Sequence, residues 1–471
     1  MIIENSFLND SKKIIRERII PWEGLSRSNV ISEEDANNIK QLEKQSIDGV
    51  TASFDTSIQT YTNTLLSVLN KLDVNSKDDV IKNVNALIND LLIESPQFVD
   101  SLLKLSQLDS SLPYQPFLNH LQSKDNIIKI LTLYNLTILL IKANKIPEYQ
   151  KLIDKEILIK IFDSLSNQFI NNNSIDSNYQ IISIQLLQEL LIIKQFKLIF
   201  EKFNLIQNFA PINQLINQAS KSPNSISLQL CYNILLVTWI LSFSSSINKI
   251  IIHNYPDLIG NLLILSKDSI KLKIVRNSIA ILKNFISIVI NSQEQFKIIK
   301  ILLFNDALST INILKDRKFA SNGSDEELSQ DLQYLADNLN DVVTNKLTSL
   351  DEYLTELENP NLISWSSPTH KSIEFWLENS GKFKDSNWKL VRRMLEILSN
   401  KQYSPRIKII LLNDLQFLIK NLGQDLLNFL KSENSGEYKL LIMNFLDNNN
   451  NDSELKYEAL KTVQLLVGHS V

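Results

Sequence analysis

A chain of 471 residues, 44% of them hydrophobic and 21% charged, has the composition of an ordinary folded protein, long enough for two or three domains or for one repeat array with an appended unit. Its 48 Lys and Arg against 52 Asp and Glu leave a formal net charge of −4, which excludes the basic footprint needed to grip a phosphate backbone. The single cysteine, Cys231, excludes an internal disulfide, a CxxC pair and an all-cysteine zinc site, and points to a reducing compartment.

At the N-terminus, Met1 to Arg18 places charges inside what would have to be an apolar signal core, so no ordinary secretory signal is expected. Lys12, Lys13, Arg16 and Arg18 form a small basic cluster there, whose simplest reading is a solvated helix face. From Val80 onward, apolar residues recur at helical spacing: first Val80, Val84, Leu87 and Leu91, later Tyr232, Leu235, Leu236, Trp239, Ile240 and Phe243, then Leu272, Val275, Ile279, Leu282 and Ile286. Each set paints one face of a helix, and strand alternation is scarcely seen. The most apolar run, Ile130 to Ile141, is bracketed by Lys129 and Lys142 and is too short to cross ~30 Å of hydrocarbon. Prolines 96, 113, 116, 147, 211, 223 and 256 fall between the stripes, where a missing N–H is tolerated.

Taking the strongest helices to start near residues 80, 127, 180, 228 and 272, the steps are roughly 45 to 50 residues, the period of HEAT and armadillo arrays. Ser324-x-x-Glu327 and Ser349-x-x-Glu352 are capping boxes that open two further helices. After Ser349 the composition shifts to a Trp-rich segment containing Pro360, Trp365, Pro368 and Trp376. The expected architecture is all-α: a HEAT/armadillo-like superhelical solenoid over residues 1–349 and a smaller C-terminal helical domain over residues 350–471.

Chemistry is hard to find in this chain. The eight glycines never fall at Walker-A, GxGxxG or GxSxG spacing, so no backbone cradle for phosphate and no nucleophile elbow is expected. His120, His253, His370 and His469 are far apart and lack metal-ligand spacing. No catalytic residue, metal or cofactor is therefore expected. Trp365, Phe375 and Trp376 stand beside Pro368 and His370 and admit two readings: aromatics that seal a junction between helical units, or anchors for a partner. His370 is most simply a polar loop residue.

Several islands resemble one family. Arg16-x-Arg18, Trp22, Leu25, Arg27-Ser28 and Ile31-Ser32-x-x-Asp35 near the start, Asp316-Arg317-Lys318-Phe319 running into Ser324 to Leu332, and Leu347 to Tyr353 are three of them. The most specific is Trp365-Ser366 with Pro368, His370-Lys371-Ser372 and Phe375-Trp376-x-Glu378-Asn379, followed at the end by Lys456 to Leu460. Together they resemble the H-subunit family of vacuolar-type proton ATPases (V-ATPases), in a fungal form. The resemblance implies a non-catalytic regulatory component, needed for ATP-driven proton pumping by the assembled enzyme and inhibitory toward ATP hydrolysis by the detached cytosolic sector. It implies as partners the peripheral stalk, the catalytic hexamer and rotor, and the cytosolic part of the membrane sector, and as location the cytosolic face of vacuolar and other endomembranes, or the cytosol once detached. Arg16, Arg18, Trp22, Trp365, Pro368, His370, Phe375 and Trp376 are the expected partner-contact residues, with a connector at Ser349 to Glu358 as the expected hinge. The competing reading is a karyopherin-like or armadillo adaptor holding an extended peptide.

Overall fold

The computed structural model describes residues 3, 5–44, 54–74, 76–109, 111–171, 175–222, 224–317, 325–345, 350–432, 437–447 and 452–468, and among them every regular element is a helix. Cα proximity divides the chain into two compact units, Met1–Ile281 and Leu282–Val471.

In the first unit the helices that carry the argument are α1 (Ser6–Glu17), α2 (Trp22–Arg27), α3 (Glu33–Lys44), α4 (Asp78–Glu94), α5 (Asn126–Asn144), α6 (Ser177–Leu191), α7 (Leu205–Lys221), α8 (Leu228–Leu241) and α9 (Leu258–Asp268). Their starts are set by local caps. Asp125 accepts hydrogen bonds from the Ile127 and Ile128 amides at 2.8 and 3.3 Å, Asp176 from Asn178 at 2.8 Å, and Ser227 from Leu230 at 3.2 Å, satisfying N–H groups that the first turn leaves orphaned. The long helices then pack in chain order, α4 on α5, α5 on α6, α6 on α8, and α7 on both α8 and α9. Burial between near neighbours in sequence is the signature of a solenoid.

Helix α5 is longer than its apolar run. At 19 residues it is long and apolar enough to cross a membrane by length and composition, yet 72% of its most apolar 18-residue stretch is buried, with α4 and α6 packed against it. It is apolar on nearly every side because neighbours cover it on nearly every side. Pro211 departs from expectation: it lies inside α7 rather than between helices, where its ring removes one hydrogen bond of the helical ladder. Pro223 lies outside the described residues. Of the stripe expected on α8, Leu235 and Ile240 are buried, whereas Trp239 is half-buried and meets the exposed Phe243 edge-on at 4.9 Å. Helix α8 is apolar all round, so spacing alone could not say which side faces inward.

Helix α10 (Leu272–Ser287) spans the division between the units. In the second unit, α11 (Ser292–Phe304), α12 (Ala307–Lys315) and α13 (Glu326–Asn345) pack on one another. Ser324 and Ser349 lie outside the described residues; at the first of these helix starts Asp325 accepts from the Leu328 amide at 3.1 Å. Leu328, Leu332, Leu335 and Leu339 are all buried, as their spacing predicts. The last part of the unit includes α14 (Leu350–Glu358), α15 (Ile373–Asn379), α16 (Asp385–Ser399), α17 (Pro405–Leu422) and α18 (Ser453–Gly468), with α17 central to α15, α16 and α18 and two further helices, Gln424–Ser432 and Glu437–Asn444, between α17 and α18. Its apolar core runs from Tyr353 to Leu466 and draws on all of these helices, Leu426 and Ile442 of the two intervening ones included.

Helix α14 corrects the expected hinge. Tyr353 and Leu357 are 1% and 2% exposed within that core, so the segment 350–358 is part of the C-terminal helical body and not a free connector. On another face of α14, the Glu352 carboxylate pairs with Lys300 Nζ of α11 at 2.8 Å.

Candidate functional site

The expected contact residues fall into two clusters, one in each unit. In the first, α1 lies against α4, and the joint is ionic as well as apolar. Lys12, with a side chain 9% exposed, pairs with Asp90 of α4 at 2.5 Å and donates to Asn89 at 2.7 Å. Arg16 Nε donates to the same Asp90 at 2.9 Å, and Arg18 pairs with Asp79 at 2.6 Å. Asn89 in turn donates to Asn135 of α5 at 2.8 Å, and Asn135 donates to the Asn85 carbonyl at 3.0 Å. Of the basic cluster, Lys12 alone is buried, as counter-charge to the buried Asp90; Arg16 and Arg18 reach Asp90 and Asp79 from the solvated side and Lys13 is exposed. Replacing Lys12 with alanine is expected to lower stability by ~2 kcal/mol, since a buried charge loses one of two cationic partners; an unchanged urea midpoint would contradict this.

Trp22 is buried, with its indole N–H donating to Glu43 of α3 at 2.9 Å. Arg16, Arg18 and Trp22 thus converge on one cavity of about 430 Å³, which Ile19, Ile20, Lys40, Leu42, Glu43, Lys44, Leu87 and Leu91 also line. A larger cavity of about 940 Å³ lies elsewhere in the unit, lined mainly by carboxamides such as Gln115, Asn119, Asn167 and Gln207. It collects none of the expected residues.

The second cluster is built around His370. Pro368 opens a short turn, Pro368–His370, that brings the imidazole inward, and Ser372 then caps α15 by accepting from the Phe375 amide at 3.1 Å. Helical spacing drives Phe375 and Trp376 into the core at 2% and 0% exposure. Trp376 stacks on Phe417 of α17 at 5.9 Å with rings 4° from parallel, and meets Tyr353 edge-on at 5.3 Å. Such contacts contribute beyond simple area burial.

His370 is fully buried and bridges two carboxylates: its Nδ1 lies 2.8 Å from Asp414 Oδ2 and its Nε2 lies 3.2 Å from Glu356 Oε2. The Glu356 contact is an ion pair without hydrogen-bond alignment. Tyr353 donates its hydroxyl to Asp414 at 3.0 Å, and Asn413 donates to the His370 carbonyl at 2.7 Å. Burial by itself would push the imidazole pKa down; the charge and hydrogen bond of Asp414, joined by the negative charge of Glu356, outweigh it and raise the pKa to about 10. The Tyr353 phenol is pushed well above its usual value by burial and by the same Asp414. A histidine, two carboxylates and a phenol resemble acid–base machinery by residue type alone. Here His370 and Asp414 are sealed from solvent, and the arrangement acts as a charged rivet tying α14 to α17.

Trp22, His370, Phe375 and Trp376 therefore support the surface from within, whereas Trp365 and Pro368 are half-buried and Arg16 and Arg18 expose 46% and 63% of their side chains. Lys371 Nζ sits over the Trp365 ring, 5.3 Å from its centre, so the indole has one solvent-facing neighbour of positive charge. The residues that sequence reasoning missed are Asp90, Glu356 and Asp414. Two of them carried a signal: Asn89-Asp90-Leu91 and Asn413-Asp414-Leu415 each set a carboxylate inside an apolar helix stripe, which calls for a buried partner.

With this geometry in place, the chain can be set beside known proteins. The two halves of one family match it, both described as the V-ATPase H subunit, over residues 6–339 and 346–471. The V-type proton ATPase H subunit of Drosophila melanogaster is 27% identical over 479 residues, covering 100% of this chain and 92% of that protein. The protein of the same name from Dictyostelium discoideum is 26% identical over 394 residues, covering 83% of this chain and 81% of the relative. Among solved structures, one from work on the phosphorylation switch between cadherin and β-catenin covers 98% of this chain and 96% of its own, with a TM-score of 0.41 and 12% identity.

Proposed function

Because the chain belongs to the V-ATPase H-subunit family, whose two models together account for nearly all of it, we propose that it braces the enzyme through two helical bodies with separate tasks. The chain is a regulatory subunit of a V-type proton ATPase and not its catalytic one, and membership implies a peripheral, endomembrane-associated complex. Within the proposal, the N-terminal helices hold the static peripheral stalk. The C-terminal helices take one of two positions: on the membrane sector in the assembled pump, or between stator and rotor once the cytosolic sector detaches, where they block rotation and stop hydrolysis. The cytosolic face of the vacuole and other endomembranes, the individual partner subunits, the boundary near Ser349 and a fungal source all belong to this proposal.

One observation carries it. The buried residues from Tyr353 to Leu466 form one apolar cluster inside the stretch that the second family model matches, which supports treating these helices as one body. Such a body can be moved as a unit. The Lys300–Glu352 pair, part-exposed on both sides, is the kind of contact worth ~1 kcal/mol or less. That suits two positions of similar free energy, because a partner shifts an equilibrium only by its differential affinity. Adding the purified chain to a V-type ATPase cytosolic sector that lacks this component is expected to suppress magnesium-dependent hydrolysis; unchanged turnover at saturating chain would sink the proposal.

A further inference from the structure

The turn between α9 and α10 carries a surface that packing within the first unit leaves uncovered. Ser269 closes α9, its amide donating to the Leu265 carbonyl at 3.1 Å, and its hydroxyl oxygen accepts from the Lys271 amide at 3.1 Å. The Ile274 amide in the first turn of α10 donates to the Lys271 carbonyl at 3.0 Å. These bonds fix the short turn Ser269 to Lys271 with Ile270 at its apex, and Ile270 stands 86% exposed. Leu228, which opens α8, Ile264 of α9 and Leu272, which opens α10, are exposed as well. Leu228, Ile264 and Ser269 line one shallow hollow with Ala219 and Ser220 of α7, so four helices meet at this edge. A single exposed isoleucine means little, but several large apolar side chains gathered at one edge call for a contact.

The same edge is positively charged. Through the turn the sequence reads Ile270-Lys271-Leu272-Lys273, and Lys221 ends α7 next to Ser220 at the hollow. All three lysines are exposed. Among the described residues Lys221 and Lys271 have no carboxylate partner, and the Lys273 ammonium lies over the Tyr232 ring, 5.6 Å from its centre. Asp268 also lines the hollow, with the exposed Lys267 beside it in sequence. The patch is therefore positive on a chain whose net charge is −4. Its shape decides what can cover it. The hollow holds only about 60 Å³, far below the roughly 300 Å³ at which ligand pockets begin, so there is no groove to seat a helix or a small molecule. The apolar side chains protrude, and what they meet must yield to them.

We propose that this edge rests on an anionic phospholipid surface, with Ile270 sunk to the level of the headgroups beside Leu272, Leu228 and Ile264, and with Lys221, Lys271 and Lys273 set against the lipid phosphates and carboxylates. A bilayer is soft enough to take a protruding apolar apex, and lysines flanking that apex reach its negative charge through flexible stems. A patch of this size gives marginal and reversible adhesion when it acts alone. That suits a component of a complex already peripheral to an endomembrane, where the patch orients the chain and does not anchor it. The inference goes beyond the two-body reading and does not depend on it.

The test floats the full chain with vesicles of phosphatidylcholine alone or of phosphatidylcholine with phosphatidylserine. Partition into the phosphatidylserine vesicles alone is expected, weakened by salt. Lys271→Glu and Ile270→Asp should each lower that partition about tenfold, and Ile270→Trp should raise it, because an indole favours the membrane interface. Lys13→Glu, exposed on α1 away from this edge, should leave it unchanged. Helical circular dichroism confirms that the variants fold. Partition into both kinds of vesicle alike, partition into neither, or partition indifferent to Ile270 and Lys271 overturns the proposal. Ile270-dependent binding of an acidic helical peptide without vesicle binding would make this a protein-facing surface, and Ile270-dependent dimerisation in sedimentation would make it a contact between copies; either result also overturns it. The outcome is separate from inhibition of the cytosolic sector, since a chain that floats as expected but leaves hydrolysis untouched removes the proposed function and keeps the lipid surface.

Discussion

Replacing His370 with alanine is expected to lower the stability of the C-terminal helices by ~3–5 kcal/mol, a large share of what a domain of this size has. The imidazolium is the counter-charge for Asp414 and Glu356, and all three lie in the interior. Removing it leaves two carboxylates sealed from water with only the Tyr353 hydroxyl to answer one of them. Breaking a buried pair from one side is far more damaging than never having built it. The pH dependence follows from the direction of the shift. Folding raises the His370 pKa from an ordinary 6.5 to about 10, so the folded state binds the proton more tightly. The stabilisation is complete below about pH 6.5 and is lost progressively as pH rises toward 10. Urea midpoints followed by circular dichroism at pH 7, 8 and 9 should fall for the wild-type chain and fall less for His370→Gln. Parallel curves for the two proteins would show that the imidazole carries no charge here. In the neutral range the group stays protonated, so it holds the structure together and does not sense physiological pH.

A chain ending at Ser349 is expected to retain its grip on the peripheral stalk and lose all inhibition of the detached cytosolic sector. The cut removes α14 together with the core to which Tyr353 and Leu357 belong. It also takes Glu352 from Lys300, ~1 kcal/mol or less for a part-exposed pair. Sedimentation with stalk subunits measures the first half of the expectation, and magnesium-dependent hydrolysis measures the second. Full inhibition by the shortened chain would reverse the division of labour between the two bodies.

Much of the helical framework was legible from residue order alone. The helices expected near residues 80, 127, 180, 228 and 272 begin at 78, 126, 177, 228 and 272, because starts are dictated by local capping groups and by spacing within a turn or two. What could not be read were pairings between distant segments. Lys12 looked solvated until Asp90 was brought to it, and His370 looked like a loop residue until Asp414 and Glu356 enclosed it. Both cases turn on a carboxylate set within an apolar helix stripe, whose charge demands a partner without saying which. Similar limits apply to the hinge. Capping chemistry at Ser349 marked the start of a helix, but only the packing of Tyr353 and Leu357 shows to which body that helix belongs.

The indole of Trp376, closed off from water and stacked nearly parallel to Phe417, gives the C-terminal body an intrinsic optical reporter. Its emission belongs at the blue end while the body is intact and moves to longer wavelength once water reaches the ring. Trp22, equally enclosed at the opposite end of the sequence, offers the same for the N-terminal helices. Exchanging the other indoles for phenylalanine, leaving Trp22 alone in one variant and Trp376 alone in another, would let the spectra follow the melting of each body separately.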